Sequence, residues 1–218
     1  MLIDYPPKLV AQIKQQLSGH RLEGFVPGGG PKRPFIALVG EAPGRQEVKE
    51  GQPFVGSSGQ ELTKMMKLAG LNRDDVYITS VVRSRPFAVR KVKDKRTGQL
   101  VEKHPNRTPT KKEVLAYAPL FDWEIQTVKP YVIVALGNTS LQRLLGSHLT
   151  VGEYHGKLLR SPIQEISVDH RGYQKSTQQY LVLPMYHPVA YLYARRLEPV
   201  VKGDWRHFGQ WLKQQTRD

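Results

Sequence analysis

The stretch VGEAPGRQEVKEGQPFVGSSGQEL, residues 39–62, crowds carboxylates, an aromatic ring and five glycines into one loop after an apolar run. Glycine-rich loops after strands ordinarily cradle phosphates on backbone amides. Glu41, Glu47 and Glu50 would repel a pyrophosphate, so this loop reads as built to hold a carboxylate beside the ring of Phe54. Other chemistries are closed off by composition. The 218 residues include no cysteine, which excludes disulfides, thiolate catalysis, zinc–thiolate sites and cysteine-ligated iron–sulfur clusters.

Strands and helices must carry such a loop to its partners. FIALV (35–39), VYITSVV (76–82), YVIVALG (131–137) and YLVLPM (180–185) are short apolar runs suited to buried strands. Helical spacing marks 7–17. It recurs in Leu62, Met65, Met66 and Ala69, with Ser57 or Ser58 as N-cap and Gly70 as C-cap. Further helices are expected over 111–128, entered through Thr110, over 139–146 and over 204–215. This alternation predicts an α/β three-layer sandwich, one domain over 1–218, with a mostly parallel four-stranded sheet and helices on both faces. Ligands of such sheets sit at the carboxyl ends of the strands. GEAPG, Ser80, Gly137-Asn138 and MYHP should therefore share one crevice. Two segments stand outside this skeleton. FAVRKVKDKRTGQLVEKH (87–104) reads as a basic β-hairpin insertion turning near Thr97-Gly98, and 163–181 as a strand pair around His170-Arg171-Gly172.

The formal net charge is +14, and its distribution is uneven. Between Arg83 and Lys112 stand eleven Lys or Arg against Asp94 and Glu102 alone. A concentrated basic patch fits a polyanionic partner. No run is long and apolar enough for a membrane span, and the N-terminal residues lack a signal-peptide core, so a cytoplasmic protein is expected.

VGEAPG, GQPFVGSSGQEL, VYITSVVRSRP, PNRTPT followed by Glu113, VIVALG, HGK and YHPVAYL occur in that order. Together, from about residue 24 to 195, they resemble the uracil-DNA glycosylase superfamily, in particular the bacterial and archaeal branch often called family 4. The resemblance implies hydrolysis of the N-glycosidic bond of uracil in single- or double-stranded DNA, with the base flipped out of the stack. A monomer that leaves an abasic site is expected, and because no cysteine is present to hold the iron–sulfur cluster that the branch usually carries, no cofactor is expected. By resemblance Glu41 positions water and steadies an oxocarbenium-like sugar, with Glu47 as the second acid for that task. His187 donates to the uracil oxygen that gains charge. Gly40, Ala42, Phe54 and Ser80 line the base, Phe54 as its stacking face. Gly56, Ser57 and Ser58 are phosphate contacts or merely caps. Tyr191 holds the position of a wedge that fills the space left by the base, and Arg195 and Arg196 follow as phosphate contacts. Lys91, Lys93, Lys95 and Arg96 of the hairpin are expected on the DNA backbone, the alternative being a solvated decoration.

Two departures stand out. Ser80 replaces the asparagine whose amide reads the uracil edge. Ser84 and Tyr117 occupy two positions where the branch carries cluster-binding cysteines. His155 stands where relatives usually have arginine, and a structural role is expected for it. The reading kept in second place is a DNA-binding homologue with lost or altered base specificity; an enzyme for a nucleotide-like ligand stands third, opposed by the acids at 41–50.

Overall fold

The structure, a computed structural model, describes residues 1–94 and 96–215. Five strands form the central sheet: β1 (Ile36–Gly40), β2 (Val76–Ser80), β3 (Val132–Leu136), β4 (Leu159–Ile166) and β5 (Tyr173–Met185). Their order is β2-β1-β3-β5-β4. The first four in that order run parallel, and β4 is antiparallel to β5. The expected four-stranded sheet thus gains a fifth strand. The strand pair at 163–181 does not stand apart: its second strand continues without a break into the YLVLPM run and brings β4 onto the sheet edge.

The helices longer than a single turn are α1 (Pro7–Gln16), α2 (Arg45–Glu50), α3 (Ser57–Leu68), α4 (Lys111–Val128), α5 (Asn138–Leu145) and α6 (Glu198–Gln215). Every residue of β1, β2 and β3 is buried, because helices cover both faces. Val39, Ile133 and Ala135 face one way and pack with Ile13 of α1, Tyr117, Leu120 and Phe121 of α4, and Leu141 and Leu144 of α5. Leu38, Val134 and Leu136 face the other way and meet Leu62, Met65 and Met66 of α3 with Trp205 and Phe208 of α6. α4 starts where the sequence indicates. Thr110 Oγ1 accepts from the Glu113 amide at 3.2 Å, and Glu113 Oε2 accepts from the Thr110 amide at 2.8 Å, a capping box. α6 begins six residues earlier than expected, at Glu198.

The glycine-rich stretch before β1 closes the outer edge of β2. Gly29 and Ile78 exchange both backbone hydrogen bonds, at 3.0 and 2.8 Å. A side chain on Gly28 would collide with the carboxylate of Glu124, which explains the glycine. Glu124 is fully buried and accepts hydrogen bonds from Tyr5 (2.8 Å), Tyr77 (2.7 Å), Thr79 (3.0 Å) and the buried guanidinium of Arg83. A charge this deep is tolerable only when paired and fully bonded. The network locks β2, and with it the strand end that carries Ser80.

Candidate active site

A cleft of about 630 Å³ opens at the carboxyl ends of β1, β2 and β5. Glu41, Ala42, Phe54, Gly56, Ser57, Ser58, Ser80 and His187 line it together, as does Glu47. Gly40 is paired with Ser80 across β1 and β2 but does not line the cleft itself, because the Phe54 ring lies over it. The fourth expected contributor stands back. Gly137, at φ +92°, lies behind the His187 ring, and Asn138 turns away to accept the Val151 amide at 2.8 Å.

The acid-rich loop forms a helix that sequence reading did not anticipate. α2 turns on Gly44 and stops at Gly51, φ +67°. This buries Glu47 and turns it back on its own loop. Its two oxygens accept from the Gly44 amide at 3.0 Å and the Gly56 amide at 2.9 Å. Glu47 therefore pins both ends of the loop. Glu41 is half-exposed in the cleft, and its carboxylate accepts the hydroxyl of Thr139 from α5. Nothing in the local sequence marks Thr139, which comes from 98 positions away.

Phe54 has φ +52°, in the left-handed region that side chains avoid. This backbone turns its ring onto the floor of the cleft. A Cβ on Gly40 would sit 2.5 Å from the ring, so only glycine admits it there. The ring lies 6.4 Å from His187, centroid to centroid, at 35°. Burial holds the His187 pKa below its ordinary value, so the ring is neutral at pH 7. The Val189 amide points at His187 Nδ1 from 3.5 Å, which assigns the proton to Nε2. The hydroxyl of Ser80, buried at 5% exposure, donates to the Val82 carbonyl at 2.8 Å. It can offer a ligand lone pairs only.

The wedge expectation at Tyr191 fails. Its side chain packs into the core beside α3 and α6, 6% exposed, and its hydroxyl donates to Glu61. Helical geometry is the reason: in the short turn Ala190–Tyr193, inward and outward residues lie close together in sequence. Tyr193, 89% exposed, reaches the cleft instead, with the exposed Leu192 beside it. Arg195 and Arg196 are exposed on the next turn.

The basic insertion is a hairpin, Arg90–Lys93 pairing with Leu100–Lys103, and Gly98 takes φ +71° at its turn. Its register sends Lys91 and Lys93 to one face with Glu102, and Arg90 and Lys103 to the other with Val92 and Val101. Arg96 is exposed at the turn; Lys95 lies outside the described residues. The hairpin root is anchored. Arg107 makes a two-pronged bond to Glu113 (2.7 and 2.8 Å), and Arg85 donates to Asn106 Oδ1 at 2.6 Å. Asn106, Arg107 and Thr108 thereby become one wall of the cleft, a contribution sequence reading missed. Ser84 and Tyr117, the two residues at the cysteine positions, touch through their hydroxyls at 2.7 Å, and Ser84 also donates to the Gly24 carbonyl at 2.5 Å. His155 pairs with Asp204 at 2.8 Å and does not line the cleft.

A model of the Uracil DNA glycosylase superfamily matches residues 27–213, and the chain belongs to that superfamily. Relatives within it include a Type-4 uracil-DNA glycosylase of Sulfurisphaera tokodaii, 35% identical over 83% of this chain and 71% of its own. The Archaeoglobus fulgidus protein of the same name is 32% identical over 85% and 81%, and that of Thermotoga maritima 34% identical over 74% and 67%.

Proposed function

We propose that this protein is a uracil-DNA glycosylase, a DNA-repair hydrolase that removes uracil and leaves an abasic site. The observation that carries this reading is the convergence of Glu41, Phe54 and His187 on one cleft, in a chain of this family. The uracil flips out of the duplex or single strand and stacks on Phe54. Glu41, oriented by the Thr139 hydroxyl, holds a water below the sugar and steadies the positive charge that develops there. The glycosidic bond breaks with its electron pair going to uracil, and the water oxygen bonds to the sugar carbon. The proton that this water gives up passes to the Glu41 carboxylate and on to solvent, and the uracil anion takes up a proton from solvent after it leaves. His187 Nε2–H donates to the uracil oxygen that gains charge; a neutral imidazole suits this, since it donates without being consumed as an acid. Glu47 serves as a brace, because both of its oxygens are engaged by backbone amides.

Tyr193 takes the wedge role by stacking into the gap left by the flipped base, supported by its exposure at the cleft edge. Ser57 and Ser58, Arg195 and Arg196, and the hairpin cations Arg90, Lys91, Lys93, Arg96 and Lys103 meet phosphates. Among the described residues no helix is long and apolar enough to cross a membrane, and a cytoplasmic location fits DNA as the partner. Incubation with uracil-containing single and double strands, followed by alkaline cleavage of abasic sites, tests the reading. Strand scission dependent on uracil is expected, and its absence on both substrates overturns it.

A further inference from the structure

Among the described residues that line the cleft, Phe54 alone combines a side chain with a left-handed backbone, at φ +52°. Such a conformation is strained for a residue with a side chain and persists only where the surroundings over-determine it. The surroundings are specific. Arg73 Nη1 donates to the Phe54 carbonyl at 2.9 Å, and Nη2 donates to the Pro53 carbonyl. On the other side Glu47 Oε1 accepts from the Gly56 amide at 2.9 Å. Gly59, in the first turn of α3, lies so close to the Phe54 carbonyl that any side chain there would collide with it. The peptide units around Phe54 are thus held by a guanidinium on their oxygens and a carboxylate on their amide.

Arg73 sits in the single helical turn Arg73–Asp75 that leads directly into β2. Its guanidinium is half-buried, and desolvation depresses its pKa while Asp74 and Glu47 oppose that. Part of the side chain's solvation has been given up, and both named bonds go to main-chain carbonyls.

We infer that Arg73 is a positioning residue of the glycosylase reaction: it holds the Phe54 backbone in its left-handed turn and so sets the ring on which the flipped base stacks. Without Arg73 the peptide relaxes toward negative φ, and the ring leaves the floor against Gly40. The role is indirect, since Arg73 does not line the cleft itself. The inference rests on the glycosylase reading for its kinetic consequence, but its structural half does not.

The test is a double-mutant cycle. Arg73→Met keeps the stem and removes the donors. Arg73→Lys restores one donor. Each is made in the wild-type and Phe54→Ala backgrounds, and single-turnover uracil excision is measured with the melting temperature. Displacing a stacking face by about 1 Å is enough to lower the rate roughly 10- to 100-fold. Arg73→Met is expected to do so when Phe54 is present, with partial rescue by Arg73→Lys. It should change the rate less than about 2-fold in the Phe54→Ala background, because two residues that act through one ring do not add. Equal loss in both backgrounds would show that Arg73 acts on general stability, and overturns the inference. Amide hydrogen exchange supplies a readout independent of catalysis. Arg73→Met should speed exchange at Phe54–Gly56 while leaving α4 unchanged. If the wild type excises nothing, the functional reading fails alone; if exchange at Phe54–Gly56 is unmoved, this inference fails alone.

Discussion

The cleft loop and the basic hairpin are both insertions between strands, yet they are held in opposite ways. Between Gly44 and Gly59 the chain is over-determined: Glu47 pins two amides, Arg73 two carbonyls, and Gly40 and Gly59 leave space that only glycine provides. From Arg90 to Lys103 four residue pairs hold the arm, Val92 and Val101 are its best-covered apolar pair, and the cations stand in solvent on both faces. The difference follows from the tasks proposed. Steadying a developing charge requires atoms placed before the reaction begins. Attracting a phosphate backbone requires charge near the surface, and flexible side chains serve that well. Where the two regions meet, at Arg107 and Glu113, the rigid style prevails, because Asn106–Thr108 belong to the cleft wall.

The comparison breaks most sharply in the cleft. Glu41→Gln and His187→Ala should each lower uracil excision at least about 100-fold with DNA affinity almost unchanged, the usual cost of removing one preorganised partner. Near wild-type rates in both variants would sink the assignment. The pH profile adds a sign. Burial depresses the His187 pKa, so the neutral donor persists as pH falls and is lost only below the ordinary histidine value of about 6.5. An acid limb of activity that lies above that value, and is absent in His187→Asn, would contradict this.

The hairpin should respond in affinity instead. Replacing residues 90–103 with a short glycine linker, leaving the root intact, should flatten the slope of log K against log salt by about two to four units, each phosphate contact contributing about −0.9. Binding should weaken alike on all sequences and the melting temperature should move little. An unchanged slope with a collapsed melting temperature would make the hairpin a brace.

The junction should respond in stability. Burial works to raise the Glu113 pKa, but Arg107, the Thr110 amide and His20 outweigh it and hold the carboxyl at about 2. A depressed carboxyl contributes stability that is complete above its ordinary value of 4.5 and is lost as pH falls toward 2. Glu113→Gln should therefore lower the melting temperature at pH 7, with the gap to wild type closing across that window. A gap independent of pH would assign the effect to packing.

The smallest effect is expected at Ser80. Its hydroxyl is committed to Val82, so no donor reaches the base from this position. Ser80→Asn should sharpen discrimination between uracil and cytosine by restoring a paired amide. An unchanged ratio would remove Ser80 from base recognition.

Much of this molecule was legible in its residues. Helix α4 began at Thr110 because capping chemistry is local, and apolar runs announced the parallel strands because both sheet faces are covered. The strand-end rule brought Glu41, Ser80 and His187 to one cleft without a distance being known. Errors fell where local pattern carries no direction. Tyr191 and Tyr193 are both tyrosines in one turn, and only packing against Glu61 decided which is buried. The strand pair at 163–181 carried no sign that it would extend β5 to 13 residues and add an edge to the sheet.

The sequence by itself determined the layers and the basic arm, because propensity, capping and periodicity act over a few residues; Glu41, Phe54 and His187 were singled out by the family resemblance. Tertiary structure alone decided that Glu47 is spent on two amides, that Thr139 orients Glu41, and that Arg73 grips the carbonyl of Phe54 from 19 positions away. Each of those choices joins segments distant in the chain. A hydrogen bond forms only where folding brings its donor and acceptor within about 3 Å, and no local pattern encodes that meeting.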